Sequence, residues 1–181
     1  MNMTEHARAD RIPPVYGKRS EQLDLEIELL NPTDRAVDPD RRGRSGRAPT
    51  VLVVDDDADM RRYVRRSLAP VGIPRDSVSE ACSAERALEA LRARSVDLVV
   101  TDIVLPGVDG LELVRAMRNR PGLRAVPVLV ITGEASPRDA RERVRGAGAQ
   151  AVLLKPFNAR SLGQVVQRLL GPRLPPTTTG H

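Results

Sequence analysis

Between residues 50 and 170, short runs of β-branched and aliphatic residues alternate five times with segments of helical periodicity. A continuous apolar run is typical of a strand buried on both faces of a parallel sheet. Strands that alternate with helices build a parallel sheet with helices on both sides. We therefore predict an α/β domain with a doubly wound, five-stranded parallel sheet. The predicted strands are 50–54, 77–81, 96–102, 126–132 and 151–154, and the predicted helices are 60–68, 83–94, 110–118, 136–148 and 158–170.

The first 49 residues do not follow this pattern. Their prolines, frequent charges and the basic stretch RRGRSGRAP at 41–49 are typical of a disordered or linker segment. Within them, QLDLEIELL at 22–30 fits both a strand alternation and a helical stripe, so its conformation stays open. We expect a largely disordered extension over 1–49 with a short element at 22–30, one domain over 50–171, and a flexible tail over 172–181.

The scarcity of cysteine and histidine excludes several kinds of site. The single cysteine, Cys82, rules out an internal disulfide framework and a multi-cysteine zinc site, and we expect it to be a small buried apolar residue. The only histidines, His6 and His181, lie near the termini, which argues against a histidine-based centre in the core. The chemistry must therefore come from carboxylates, hydroxyls and lysine.

Charge and hydropathy limit the partners and the location. The net charge is +5, but the excess comes from arginines scattered over the predicted helices, and aromatic residues make up only 2% of the chain. Base-stacking platforms are therefore missing, and we do not expect nucleic acid as a partner. The sequence has no apolar run of about 18 residues for a membrane span and no apolar secretory signal, so we expect a cytoplasmic protein.

Reactive side chains follow the carboxyl ends of four predicted strands. Asp55, Asp56 and Asp57 end the first strand and Asp102 ends the third, while the fourth and fifth end in Thr132 and Lys155. Ligands of open parallel sheets bind at this edge. Clustered carboxylates repel one another without a cation, and Mg²⁺ prefers such oxygen ligands. A carboxylate beside Mg²⁺ can attack phosphorus, with lysine and a hydroxyl stabilising the transferred phosphoryl group.

The motifs VLVVDDD, DIVLPGVDG, VLVITG and LLKPF occur in this order at those strand ends. Together they resemble the receiver domain of two-component response regulators, of the chemotaxis type. The resemblance covers residues 50–170 and implies a flavodoxin-like (βα)5 fold. It implies that Asp102 is the phosphorylated residue, and that Mg²⁺ is held by Asp55, Asp56, Asp102 and the backbone carbonyl of Val104.

The same resemblance implies roles for residues around the acceptor. Lys155 would pair with the acceptor and then with the phosphoryl group, and Thr132 would be the switch hydroxyl. Pro156 follows a bond that is commonly cis in this family, and Pro106 and Gly110 would shape the loop after the acceptor.

One position departs from the family. Receivers commonly carry Tyr or Phe three residues before the lysine, whereas this chain has Val152, which puts the coupling of a ring to Thr132 in doubt. Other residues have simpler explanations: Asp57 and Asp109 read as helix caps, and Phe157 as a packing residue at the start of the last helix.

The resemblance implies a response regulator that takes a phosphoryl group from a histidine kinase or histidine phosphotransfer protein. It would not be an enzyme beyond transfer to its own aspartate and autodephosphorylation. We expect no separate output domain after 170. We therefore expect a conformational change at the fourth helix, fifth strand and fifth helix to alter contacts with a downstream protein, which can include a phosphorylation-dependent dimer.

Three alternatives remain open. The first is a pseudo-receiver that binds partners without phosphorylation, favoured by Val152. The second is a nucleic-acid protein acting through RRGRSGR, whose binding would be salt-dependent. The third is a phosphatase with an aspartate nucleophile, which lacks a second acid because that position is Val104.

Overall fold

The computed structural model describes residues 28–30, 47–171 and 174. The strands are β1 (Glu28–Leu29), β2 (Val51–Val54), β3 (Val78–Ala81), β4 (Leu98–Asp102), β5 (Val128–Thr132) and β6 (Ala151–Leu154). The α-helices are α1 (Ala58–Leu68), α2 (Ala84–Ala93), α3 (Gly110–Arg118), α4 (Pro137–Ala147) and α5 (Ala159–Leu170). Within these residues, no helix is long and apolar enough to cross a membrane.

The strands form one sheet in the order β1-β6-β5-β4-β2-β3. Strands β2 to β6 run parallel to one another, which confirms the predicted five-stranded, flavodoxin-like α/β fold. Strand β1 adds a short antiparallel partner to β6. It lies within the stretch 22–30 whose conformation was open, and the remainder of that stretch lies outside the described residues.

The core has two aliphatic layers, one on each side of the sheet. Alternate residues of the strands pack under α2, α3 and α4 on one side, and under α1 and α5 on the other. Every residue of β2, β4, β5 and β6 is buried, as expected for strands covered on both faces. Phe157 is buried against Tyr63 with ring centroids 5.7 Å apart, which confirms its packing role.

Side-chain caps fix where the helices begin. Asp57 accepts a hydrogen bond from the backbone N–H of Asp59 at 2.8 Å, and Asp109 accepts one from that of Glu112 at 2.7 Å. Both were predicted as caps, and Ser83 caps α2 in the same way. Because these residues are bonded to free N–H groups at the helix start, neither Asp57 nor Asp109 is needed to explain the chemistry of the sheet edge.

The exposure of Cys82 and the bounds of several elements differ from the sequence predictions. Cys82 is exposed, not buried, because β3 ends at Ala81 and Cys82 lies in the turn before the cap of α2. The first strand begins at Val51 because the backbone N–H and the hydroxyl of Thr50 donate to the carboxylate of Asp97, at 2.9 and 3.0 Å.

Arg118, at the end of α3, ties together the loops at the amino-terminal edge of the sheet. Its guanidinium donates to the carbonyls of Gly148 at 2.8 Å and Val126 at 2.9 Å, and to the side-chain oxygen of Gln150 at 2.8 Å. Burial lowers the pKa of Arg118 from its usual value, and its N–H groups satisfy these acceptors. The residue therefore acts as a structural cross-link between α3, β5 and the turn before β6.

We expect Arg118→Met to lower the free energy of unfolding by about 3 kcal/mol, because several part-buried acceptors lose their donor at a cost of roughly 1–3 kcal/mol each. Urea denaturation at pH 7 measures this change. The matched control is Arg115→Met on the exposed side of the same helix, which we expect to change stability little. Equal midpoints for the two variants would show that the cross-link contributes nothing.

Candidate functional site

The parallel register places the predicted site residues at one edge of the sheet. Asp55 directly follows β2, Asp102 ends β4, and Thr132 ends β5 opposite Leu154, the last residue of β6. Lys155 comes next and its backbone N–H donates to the carbonyl of Thr132 at 2.7 Å. The fold thus gathers an acidic pair, a hydroxyl and an ammonium group, as the sequence predicted.

Asp102 is 8% exposed and its carboxylate has two partners. The Nζ atom of Lys155 lies 2.5 Å from Oδ2, and the backbone N–H of Val104 donates to Oδ1 at 3.1 Å. The hydroxyl of Thr101 donates to the backbone carbonyl of Asp102 at 3.0 Å. The carboxylate is therefore held in one orientation, with enough exposure for a small group to reach it.

Lys155 links the two acids. Its Nζ atom lies 3.5 Å from Oδ2 of Asp55 and 2.5 Å from Oδ2 of Asp102. The two carboxylate oxygens therefore lie close to each other, on either side of the ammonium group. Burial acts to lower the pKa of Lys155, but the hydrogen bonds and negative charges of Asp102 and Asp55 outweigh it and raise the pKa above its usual value. The peptide bond between Lys155 and Pro156 is cis, as the resemblance implied.

Asp55 and Asp56 differ in exposure. Asp55 is 4% exposed and accepts a hydrogen bond from the backbone N–H of Asp57 at 2.8 Å, whereas Asp56 is exposed. Burial raises the pKa of Asp55, and the charges of Asp102 and Asp56 raise it further against the lowering effects of the Asp57 hydrogen bond and Lys155. Ionisation of Asp55 therefore costs more here than in water, and added positive charge would offset that cost.

The donor set fits a hard divalent cation such as Mg²⁺. The buried carboxylates of Asp55 and Asp102 lie close together with only Lys155 between them, and Asp56 is exposed beside them. Mg²⁺ is usually held by one or two carboxylates and keeps several waters. In the part of the chain that the structure describes, no group of three His, Cys, Asp or Glu side chains has the geometry of a metal site. A site here would therefore combine these carboxylates with backbone oxygen and water.

Arg61 is a site residue that sequence reasoning missed. Its Nη1 atom donates to the backbone carbonyls of Asp55 at 2.7 Å and Asp56 at 3.1 Å, and its Nε lies 3.3 Å from the carboxylate of Glu80. It therefore fixes the backbone on which both acids stand. The sequence gives no signal for this role, because α1 carries three other arginines with the same local pattern.

The loop after Asp102 passes close to the acceptor backbone. The backbone N–H of Gly110 donates to the carbonyl of Ile103 at 2.8 Å, and a Cβ atom at Gly110 would lie 1.8 Å from the carbonyl oxygen of Asp102. Gly110 is thus required by close approach, as its predicted structural role implied. Pro106 and the side chain of Val104 are exposed.

The two predicted switch positions are buried. The Thr132 hydroxyl oxygen accepts a hydrogen bond from the backbone N–H of Glu134 at 3.3 Å, so its hydrogen is free to point elsewhere. Val152 lies two residues before Leu154, which pairs with Thr132, and packs in the aliphatic layer that contains Val130 and Val144. No ring reaches the surface at this position, and the switch roles stay predictions.

We expect Asp55→Asn to raise the melting temperature of the metal-free protein by a few degrees at pH 7. The raised pKa of Asp55 means that the fold loses stability as pH rises through that pKa, and the neutral amide removes this loss. The variant should also lose most of the stabilisation that Mg²⁺ gives the native protein. Thermal unfolding in EDTA and in Mg²⁺ measures both effects.

The matched control is Asp57→Asn, because asparagine also caps helices and Asp57 faces solvent. It should keep the Mg²⁺ response. An Asp55→Asn protein that is stabilised by Mg²⁺ as strongly as the native chain would remove Asp55 from the cation site.

Comparison with known proteins places this arrangement in context. The family described as the response regulator receiver domain matches residues 51–167. The chemotaxis protein CheY of Pseudomonas aeruginosa is 34% identical over 119 residues, which cover 66% of this chain and 94% of that protein. CheY-3 of Vibrio cholerae is also 34% identical over 119 residues, with 66% and 89% covered.

Solved structures give the same picture. CheY4 of Vibrio cholerae superposes with a TM-score of 0.62 at 31% identity, over 68% of this chain and 100% of that one. The receiver domain of NtrX from Brucella abortus gives a TM-score of 0.59 at 34% identity, over 66% and 97%. Strands β2 to β6 and all the site residues above lie within the matched span.

Proposed function

We propose, from the premise that this chain belongs to the response regulator receiver domain family, that Asp102 accepts a phosphoryl group in a Mg²⁺-dependent reaction. The observation that carries the proposal is the contact of the Asp102 carboxylate with Lys155 beside a second buried acid, Asp55. A nearly buried carboxylate with a fixed orientation and a lysine in place suits nucleophilic attack on phosphorus, followed by stabilisation of the transferred charge.

The donor is a phosphohistidine on a histidine kinase or a histidine phosphotransfer protein. One oxygen of Asp102 attacks the phosphorus atom, the O–P bond forms, and the P–N bond to the imidazole breaks with its electron pair left on nitrogen. Asp55, Asp56 and Asp102 would hold Mg²⁺, which would supply positive charge to the phosphoryl oxygens. Lys155 moves its contact from the Asp102 carboxylate to a phosphoryl oxygen.

Phosphorylation of Asp102 alters the surface formed by α4, β6 and α5, which contacts the downstream protein. The Thr132 hydroxyl, whose oxygen already accepts from Glu134, donates its hydrogen to a phosphoryl oxygen. The hydrogen bond from the backbone N–H of Lys155 to the carbonyl of Thr132 couples the ends of β5 and β6, so movement at either residue shifts both strands. Contacts of α4, β6 and α5 with a downstream protein then change in strength, with aliphatic repacking around Val152 in place of a rotating ring.

The test is a titration of the full chain with BeF₃⁻, an acyl phosphate mimic, followed by NMR or thermal unfolding. We expect saturable binding in Mg²⁺ and none in EDTA. The control is Asp109→Asn, a cap change away from the carboxylates, which should bind like the native protein. Absence of binding in Mg²⁺ would instead support a receiver fold that works without phosphorylation.

A further inference from the structure

Strand β1 occupies an edge that the five-stranded domain would otherwise leave open. Glu28 pairs with Val152 and Leu29 with Ala151, and the backbone N–H of Leu30 donates to the carbonyl of Gln150 at 2.9 Å. The open edge of a sheet presents unpaired N–H and C=O groups and readily takes up another strand. Here the segment that fills it comes from the same chain, before the domain begins.

Leu30 anchors this strand in the core. Its side chain is 6% exposed and belongs to the same aliphatic layer as Val152 of β6 and Val144 of α4. Val152 is the position at which the resemblance leads us to expect a ring, and a valine side chain is smaller than a ring. Leu30 contributes apolar volume to this layer from outside the domain, so the contact is a side-chain insertion as well as backbone pairing.

Charge complements the pairing. In the sequence, three acids at 24, 26 and 28 alternate with apolar residues at 23, 25 and 27. Helix α4, which flanks β6, carries four arginines against two acids. The positive surplus of α4 favours an acidic segment as the occupant of the neighbouring β6 edge. The surface formed by the β6 edge and α4, which we name the β6–α4 face, thus suits an extended segment in which acids alternate with apolar residues.

The connection to the domain is long enough for docking within one chain. Residues 31–50 join Leu30 to β2, and 20 residues can span up to about 65 Å. Strands β1 and β2 are four positions apart in the sheet order, about 19 Å at ordinary strand spacing. A short tether of this kind gives an effective concentration on the order of millimolar. Docking in cis therefore outcompetes the same segment supplied by a second copy at ordinary concentrations.

We propose that the segment around residues 28–30 is an intramolecular ligand of the β6–α4 face, and that it must leave before a partner can pair there. The partner it excludes has the same chemistry: an extended acidic segment with alternating apolar side chains. Strand β6 runs into Lys155 three residues after Val152, so occupation of its edge is coupled to the Lys155 contact with Asp102. The coupling rests on the proposed function, whereas the docking does not.

The docked strand and the phosphoryl site affect each other by the same factor. The docked strand accompanies the arrangement in which Lys155 contacts a bare Asp102 carboxylate. A phosphoryl mimic that draws Lys155 away weakens docking, and release of the strand strengthens binding of the mimic by the same factor. We expect that factor to be about five, the lower end of ordinary coupling between sites.

The experiment uses the full chain and hydrogen–deuterium exchange of the β6 backbone, read by mass spectrometry. Leu30→Asp places a charge in the aliphatic layer, and Leu30→Pro removes the N–H that bonds Gln150 while keeping an apolar side chain. Both should speed exchange over 150–154 in the absence of Mg²⁺ and BeF₃⁻. The control, Val37→Asp, changes an apolar residue of the same extension outside the segment and should leave exchange unchanged.

The outcomes test the docking, its intramolecular nature and the coupling separately. Unchanged exchange in both Leu30 variants, with unaltered melting curves, would overturn the docking. Protection of β6 that falls on dilution of the native chain would assign the strand to a second copy and contradict docking in cis. Equal BeF₃⁻ affinity in the native and Leu30→Asp chains would overturn the coupling. Failure of the native chain to bind BeF₃⁻ would defeat the proposed function and the coupling together, while the exchange data would still decide the docking.

Discussion

Lys155→Met should slow phosphoryl uptake from a small phosphodonor by about 10²–10³-fold, the usual loss when one group that stabilises transferred charge is removed. The reason is the position of the Nζ atom, 2.5 Å from the acceptor oxygen of Asp102 and 3.5 Å from Asp55. Without the ammonium, the phosphoryl oxygens lose their one lysine contact in this site. Initial rates of uptake at fixed Mg²⁺ concentration, followed by intact mass, measure the effect.

The same variant separates charge from packing. Removal of Lys155 leaves the carboxylates of Asp55 and Asp102 to repel each other, so Lys155→Met should lower the melting temperature in EDTA and bind Mg²⁺ more tightly than the native chain. Lys155→Arg keeps the positive charge, so it should keep most of the native stability. Its uptake rate should still fall clearly, because a guanidinium group changes the contact geometry. A Lys155→Met protein with native uptake would show that the ion pair has no part in the reaction.

Gly110→Ala should destabilise the domain by about 3 kcal/mol or more, the upper end of the cost of overpacking. The added Cβ would lie 1.8 Å from the backbone oxygen of Asp102 and 3.1 Å from the hydroxyl of Thr101. Backbone cannot yield as a flexible side chain can, so either the start of α3 or the end of β4 must move. Because β4 carries Asp102, BeF₃⁻ binding should weaken along with stability.

Gly146→Ala is the matched control for this substitution. Gly146 lies within α4, and a Cβ there would meet no atom within 4 Å. Alanine in an exposed helix interior is favoured over glycine by about 1 kcal/mol, so this variant should be slightly more stable than the native chain and should bind BeF₃⁻ normally. Chemical denaturation of the two variants compares them directly. If both had the same stability, close approach at Gly110 would not constrain the loop.

The fold and the acidic edge could be predicted because each depends on local pattern. Continuous apolar runs such as Val51–Val54 indicate buried parallel strands, and parallel strands bring their carboxyl ends to one edge whatever the loops do. The contact of Lys155 with Asp102 follows from that topology plus the resemblance. Caps such as Asp57 were also predictable, since the residue type and its place before an apolar helix stripe specify the role.

Other features depend on contacts between distant parts of the chain. Arg61 and Arg118 look like the surrounding surface arginines, and only the fold shows which carbonyls their guanidinium groups reach. Pairing of Glu28 and Leu29 with β6 depends on the free edge and the adjoining space, neither of which a periodicity conveys. Cys82 was assigned by the general burial of cysteine, whereas its place after the last residue of β3 exposes it.

The most direct measurement of the central claim is the location of the phosphoryl group. The full chain is incubated with a small phosphodonor and Mg²⁺, the acyl phosphate is reduced with borohydride, and the modified residue is identified by peptide mass spectrometry in the native chain and in Asp102→Asn. The account predicts a single Mg²⁺-dependent modification at Asp102 that is absent from the variant. Uptake that persists in Asp102→Asn, or modification at another residue of the native chain, would contradict it.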